Sequence, residues 1–147
     1  MSRNLYSHLP LELSKRIDDA VSGKLAMSPD ALAVLDHLAD QVASRRHPVS
    51  IASMQQFWRW VGCRVLTDRQ VKAAVKELLE VHRIPIGSSK VPGSNGYYFI
   101  LTEEDRQQAE TSLIADIISL AARLKVINPK SRYARLLQGQ IGLEDRN

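Results

Sequence analysis

The amino-acid sequence predicts a mainly α-helical protein with one small β-hairpin, carrying an added helix at its front and a long helix at its back. Five segments place apolar residues at helical spacing, and most begin at a residue suited to cap a helix. Two short runs, residues 85–89 and 96–101, flank a tip rich in glycine and proline. At 147 residues with 44% hydrophobic and 24% charged residues, the composition is ordinary for one globular domain with a hydrophobic core.

Pro10 opens the first helix, in which Leu13, Ile17, Ala20 and Val21 recur at helical spacing until Ser22-Gly23 stops it. Ser28 caps the second, Pro29 fills its first turn, and Leu32, Leu35, Leu38, Ala39 and Val42 form its inner face up to about Arg46. His47-Pro48-Val49 is an extended link, because proline disfavours helix in the residue before it. Ser50 caps a third helix through Met54, Phe57, Trp58 and Val61, and Gly62 suits the position just past its end.

Thr67 followed by Gln70 is a capping box. The fourth helix, from Asp68 to about His82, buries Val71, Ala74, Val75, Leu78 and Leu79. The hairpin follows. Thr102-Glu103-Glu104-Asp105 then caps a long last helix to about Val126, which Asn128-Pro129 ends. Residues 128–147 read as a loose tail, residues 1–27 as an N-terminal arm or packing helix, and residues 28–127 as the main domain.

Charge is unevenly placed. Arg59, Arg64, Arg69, Lys72, Lys76, Arg83 and Lys90 face only Asp68, Glu77 and Glu80 over residues 59–90, and the signs balance on either side, so this segment holds the whole net charge of +4. Such a patch is the footprint of a polyanion binder. Opposite the buried face of the fourth helix, Arg69, Lys72, Ala73 and Lys76 share one stripe able to enter a major groove. Arg69 suits a bidentate guanine contact, Ala73 leaves room for a thymine methyl, and Lys72 and Lys76 suit phosphates or bases. Gln70 is torn between adenine and its own capping box. An ordinary solvated helix face has the same composition.

Ser50 and Ser53 offer hydroxyls and amides to a phosphate, although capping alone explains Ser50 equally well. Lys90 and Asn95 at the hairpin tip suit backbone or minor-groove contact, although a plain turn would also choose glycine, asparagine and proline. Trp58 and one of Tyr97 and Tyr98 are expected in the core, and Trp60 has no evident place.

Pro48-Val49-Ser50-Ile51-Ala52, Leu66 to Val71, Glu77-Leu78-Leu79, Ile84-Pro85-Ile86 and Gly96-Tyr97-Tyr98 together resemble the small winged helix-turn-helix proteins of bacteria and their phages, over about Asp30 to Leu124. The resemblance implies the winged-helix fold, double-stranded DNA as partner, and a regulatory role or one accessory to phage or mobile-element replication. The connection from Gly62 to Leu66 departs from it, being longer than a tight three-residue turn. A winged helix serving as a protein-interaction module is the rival reading.

The four histidines are scattered, no phosphate-cradling glycine loop occurs, and the single Cys63 allows neither a disulfide within the chain nor a cysteine zinc cage. No enzymatic activity, cofactor, metal or small-molecule ligand is therefore expected. Without an apolar leader or membrane-length run, the expected location is the cytoplasm. In the last helix Leu113, Ile117, Leu120 and Leu124 form an apolar seam, widened by Ile114, Ile118 and Ala121. It suits either burial within one chain or a homodimer.

Overall fold

In the computed structural model, residues 9–140 are described, with side chains to residue 136. Residues 1–8 of the expected arm and 141–147 of the expected tail lie outside the described residues. The order is α1 (Leu11–Val21), α2 (Pro29–Asp40), α3 (Ile51–Val61), α4 (Asp68–Glu80), β1 (Ile86–Ser89), β2 (Gly96–Phe99), α5 (Glu103–Ile127) and α6 (Arg132–Gln140). The chain is thus mainly helical with a two-stranded antiparallel hairpin. It divides into two compact units, the first ending at Asp105 and the second beginning at Arg106, inside α5.

The first unit is built on one core. Leu13, Ile17 and Ala20 from α1 join Ala31, Val34, Leu35 and Leu38 from α2, Met54 and Trp58 from α3, Val71, Ala74, Val75 and Leu78 from α4, and Ile86 and Phe99 from the hairpin. Full burial of side chains the size of Ile17, Leu35 or Phe99 contributes about 1.5–3 kcal/mol each. Three expected core positions fall outside it. Val21 ends its helix exposed, and Leu79 is 38% exposed because it lies at the edge of the α4 apolar face. Val42 is also exposed, because α2 has already ended.

That early end corrects the expected extent of α2. The helix stops at Asp40, six residues short of Arg46. The Val42 N–H donates to the Ala39 carbonyl at 3.1 Å and the Ala43 N–H to the Leu38 carbonyl at 3.0 Å, the paired bonds of a Schellman cap. Val42 takes the left-handed position at φ 53°, where glycine is usual and a β-branched residue is strained. What holds it there is the next residue: Ala43 is fully buried, and its carbonyl accepts from the Phe99 N–H. Arg45 is thereby turned toward Asp105, 2.9 Å from its Nε, and Glu104, 2.8 Å from its Nη2.

Asp105 closes a capping box with Thr102, accepting from the N–H groups of Leu101 and Thr102 while its own N–H donates to Thr102 Oγ1. Burial pushes the Asp105 carboxyl upward, but the Leu101 amide, Arg45 and Thr102 outweigh it and hold it below the usual carboxylate range. Glu77 plays a similar part between α4 and α2. It accepts from the Ser28 N–H at 3.1 Å and lies 2.9 Å from His82 Nε2, and these bonds hold it low against the upward push of burial.

The hairpin register pairs Ile86 with Phe99, Gly87 with Tyr98, Ser88 with Tyr97 and Ser89 with Gly96. Gly87 is required here, because a Cβ would fall 2.5 Å from the Tyr98 ring. The extended link expected at residues 47–49 gains a partner that was not expected: Val49 pairs antiparallel with Tyr97 through bonds of 2.8 and 2.9 Å. Gly96 sits at φ 144° directly against the Val49 carbonyl group, and a Cβ there would overlap it. In the second unit, residues 132–140 form α6 where a loose tail was expected, with the Ala134 N–H bonded to Ser131 Oγ at 3.3 Å.

Replacing Val42 by glycine relieves the left-handed strain and removes little packing, since Val42 is 48% exposed. Val42→Gly is expected to stabilise the protein by about 1 kcal/mol in a denaturant titration, whereas Val42→Ala, which keeps a Cβ, should not.

Candidate nucleic-acid interface

The fourth helix is positioned at its first turn from both directions. Thr67 Oγ1 accepts from the Gln70 N–H at 3.2 Å, and Gln70 Oε1 accepts from the Thr67 N–H at 2.9 Å, completing the expected capping box. From α3, Gln55 Nε2 donates to the Leu66 carbonyl at 3.0 Å and to Asp68 Oδ1 at 2.9 Å. Gln55 had no sequence signal of its own. It adds to the hold of Leu66, which is buried in the core at the end of the long Gly62–Leu66 connection.

Outward from this anchored turn stand Arg69, Lys72, Ala73 and Lys76, all exposed, opposite the buried Val71, Ala74, Val75 and Leu78. Arg69, Lys72 and Lys76 make no hydrogen bond or ion pair among the described residues, whereas Arg16, Arg45 and Arg64 are each paired. Arg64 bonds to Asp30 at 2.9 Å, so one cation of the basic segment is answered by an acid outside it. Gln70 is half-buried with its carbonyl oxygen committed to the capping box, which leaves only its amide NH₂ group to offer.

The other expected contact residues lie on α3 and on the hairpin. Gly96, the neighbour of Asn95 in the chain, lies against the Val49–Ser50 backbone, and Ser50 is the N-cap of α3. Ser50 Oγ accepts from the Ser53 N–H at 3.1 Å, so its cap role is occupied and its hydroxyl proton remains to donate. Ser53 is exposed one turn along. Lys90 and Asn95 follow and precede the last strand pair, Ser89 with Gly96, and both are exposed. The tip between them turns at Val91–Ser94, closed by a 2.9 Å bond, with Gly93 at φ 80° in the left-handed place of a type II turn. Val91 stands 59% exposed at this tip, an apolar residue to which the sequence drew no attention.

Among the aromatic residues, Trp58 and Tyr98 are buried as expected, and Trp60 projects from α3 with 83% of its surface exposed. Of the seam on α5, Leu113 and Leu120 are exposed at 63% and 58%, while Ile117 and Leu124 are half-buried. Among the described residues no cluster of three or more His, Cys, Asp or Glu side chains is placed to hold a metal ion. No helix among them is long and apolar enough to cross a membrane. Comparison with protein-family models, with curated proteins and with solved structures returned no match.

Away from this surface, His37 on α2 is 97% buried beneath Phe57, their ring centroids 4.7 Å apart, and neither ring nitrogen has a hydrogen-bond partner. Burial pushes the imidazole below its ordinary value, against the opposing pull of Asp40 and Asp36. The unfolded chain therefore binds the His37 proton more readily than the folded one. Stability from this group is complete above the unfolded value of about 6.5 and falls as pH drops below it, well above the carboxylate range. His37→Leu should flatten the pH dependence of the melting temperature between about pH 7 and pH 5, and an unchanged slope would place the titration elsewhere.

Proposed function

We propose that this chain is a winged helix-turn-helix protein that binds double-stranded DNA, with α4 as the recognition helix and the β1–β2 hairpin as the wing. The observation that carries the reading is a single stripe of unanswered charge. Arg69, Lys72 and Lys76 stand exposed and unpaired along one face of a helix whose first turn is fastened from two sides, whereas Arg16, Arg45 and Arg64 are tied to carboxylates. Unanswered positive charge on a rigid convex element suits a phosphate-lined groove.

Three further features support it. The order of α2, the Val49 bridge, α3, α4 and the hairpin is that of a winged helix. Ser50, Ser53, Lys90 and Asn95 supply small donors and a cation suited to backbone contact. Val91 at the tip is the kind of apolar residue that such wings press into a minor groove. On this reading the protein has no catalysis of its own and acts in the cytoplasm as a regulator or a replication accessory.

The exposed leucines of α5 favour a homodimer, in which Leu113 and Leu120 meet their counterparts and Ile117 and Leu124 complete the seam. Two copies would then present two recognition helices to a pseudo-palindromic site. The same face would serve the rival reading, a module that docks on another protein.

Duplex affinity should fall steeply with added salt, and Lys72→Ala and Lys76→Ala should each lower the slope of log K against log salt by about one. Arg69→Ala should weaken specific binding by about tenfold or more and relax preference at one base pair. Absence of duplex binding at low salt would defeat the proposal. In sedimentation, the double variant Leu113→Glu, Leu120→Glu should be monomeric at concentrations where the parent chain is dimeric, and a monomeric parent would exclude the α5 seam as a homodimer interface.

A further inference from the structure

A hollow of about 300 Å³ opens between α2, α3 and the connection to α4, and its lining contains the orphaned imidazole of His37. Its walls are largely apolar: Pro29, Ala33, Phe57, Trp58 and Leu66. The volume lies at the small end of the roughly 300–1,000 Å³ range of ligand sites. The charged groups at its edge are already engaged, with Arg64 bonded to Asp30 at 2.9 Å and Asp36 also partnered. The site therefore has shape, largely apolar walls, a buried unmet imidazole and the free Cys63 thiol in its lining, and the charged groups that line it are already partnered with one another or with their neighbours.

Folded proteins rarely leave a buried side chain without any partner, and such a group calls for an explanation. Here it lies under a ring that borders open space on two sides. Phe57 is half-buried, stacks on His37, and also borders a second hollow of about 360 Å³ lined by Ser53, Gln56 and Trp60. Both imidazole nitrogens are covered, so a ligand reaches them only when the Phe57 ring turns toward that second space.

We infer that the hollow binds a neutral, flat heteroaromatic compound of one or two rings, which packs against Phe57 and Trp58 and hydrogen-bonds to a ring nitrogen of His37. Neutral imidazole offers one N–H and one lone pair, so a ligand with either a donor or an acceptor nitrogen can complete it. Flatness follows from the aromatic walls, neutrality from the pairing of the charged groups that line the hollow, and small size from the volume.

The test uses the full chain with ¹⁵N-labelled histidine and three probes: benzimidazole, indole and toluene. Benzimidazole and indole should shift the His37 ring-nitrogen resonances saturably. Toluene, which fits the walls but cannot pair with the imidazole, should bind about tenfold more weakly, the ratio expected for one buried hydrogen bond. Phe57→Ala should weaken binding of all three probes by removing a wall they share, and His37→Leu should reduce heteroaromatic binding to the toluene level. The inference is overturned if no probe saturates below about 10 mM, if toluene binds as well as benzimidazole, or if His37→Leu binds like the parent. None of these measurements involves DNA, so they stand apart from the outcome of the duplex titration.

Discussion

The two hydrogen bonds between Val49 and Tyr97 tie the hairpin to the start of α3. A hairpin of two four-residue strands is marginal by itself in water. Pairing its second strand with the link before α3 gives the sheet a third piece and fixes where α3 begins. Glycine at position 96 is the condition for this, since its hydrogen lies where any side chain would meet the Val49 carbonyl. From that contact follow the place of Ser50, the direction of α3, the reach of Gln55, and hence the seat of the first turn of α4.

Electrostatics divides the chain into charges that serve the fold and charges that do not. Asp105, Glu77 and Asp30 each answer a donor across elements, joining α5 to the loop after α2, α4 to the start of α2, and the α3–α4 connection to α2. Of these, Asp105 and Glu77 are held ionised against burial by the hydrogen bonds they accept. The stripe on α4 belongs to the other class, and its side chains contribute nothing visible to stability. Charged residues on an exposed helix face without an internal task are the natural place to look for an external one.

Much of this was legible in the sequence because caps are local. Ser28, Ser50 and Thr67 accept from the amide three residues on, and Gly62 takes the left-handed position at φ 76°, all within one turn of the residues that signal them. What escaped depends on distant partners. The end of α2 is set by burial of Ala43 against Phe99, which overrides the reluctance of valine to adopt a left-handed conformation. The Val49 bridge, the Gln55 staple and the orphaned His37 each rest on residues from separate elements, and no spacing rule marks them. Arg64 illustrates the limit of counting charge along a chain, because its acid lies 34 residues away. The α4 stripe was legible down to its members, as both of its faces repeat at helical spacing.

The double fastening of the α4 amino end has a thermodynamic meaning. With the capping box and Gln55 both in place, the outer face of this helix is ordered before any partner arrives. Association through it need not include the entropy loss and large negative heat-capacity change that accompany folding upon binding. Calorimetry on any ligand of this face would thus report the area it covers and the ions it releases, with little contribution from the protein rearranging itself.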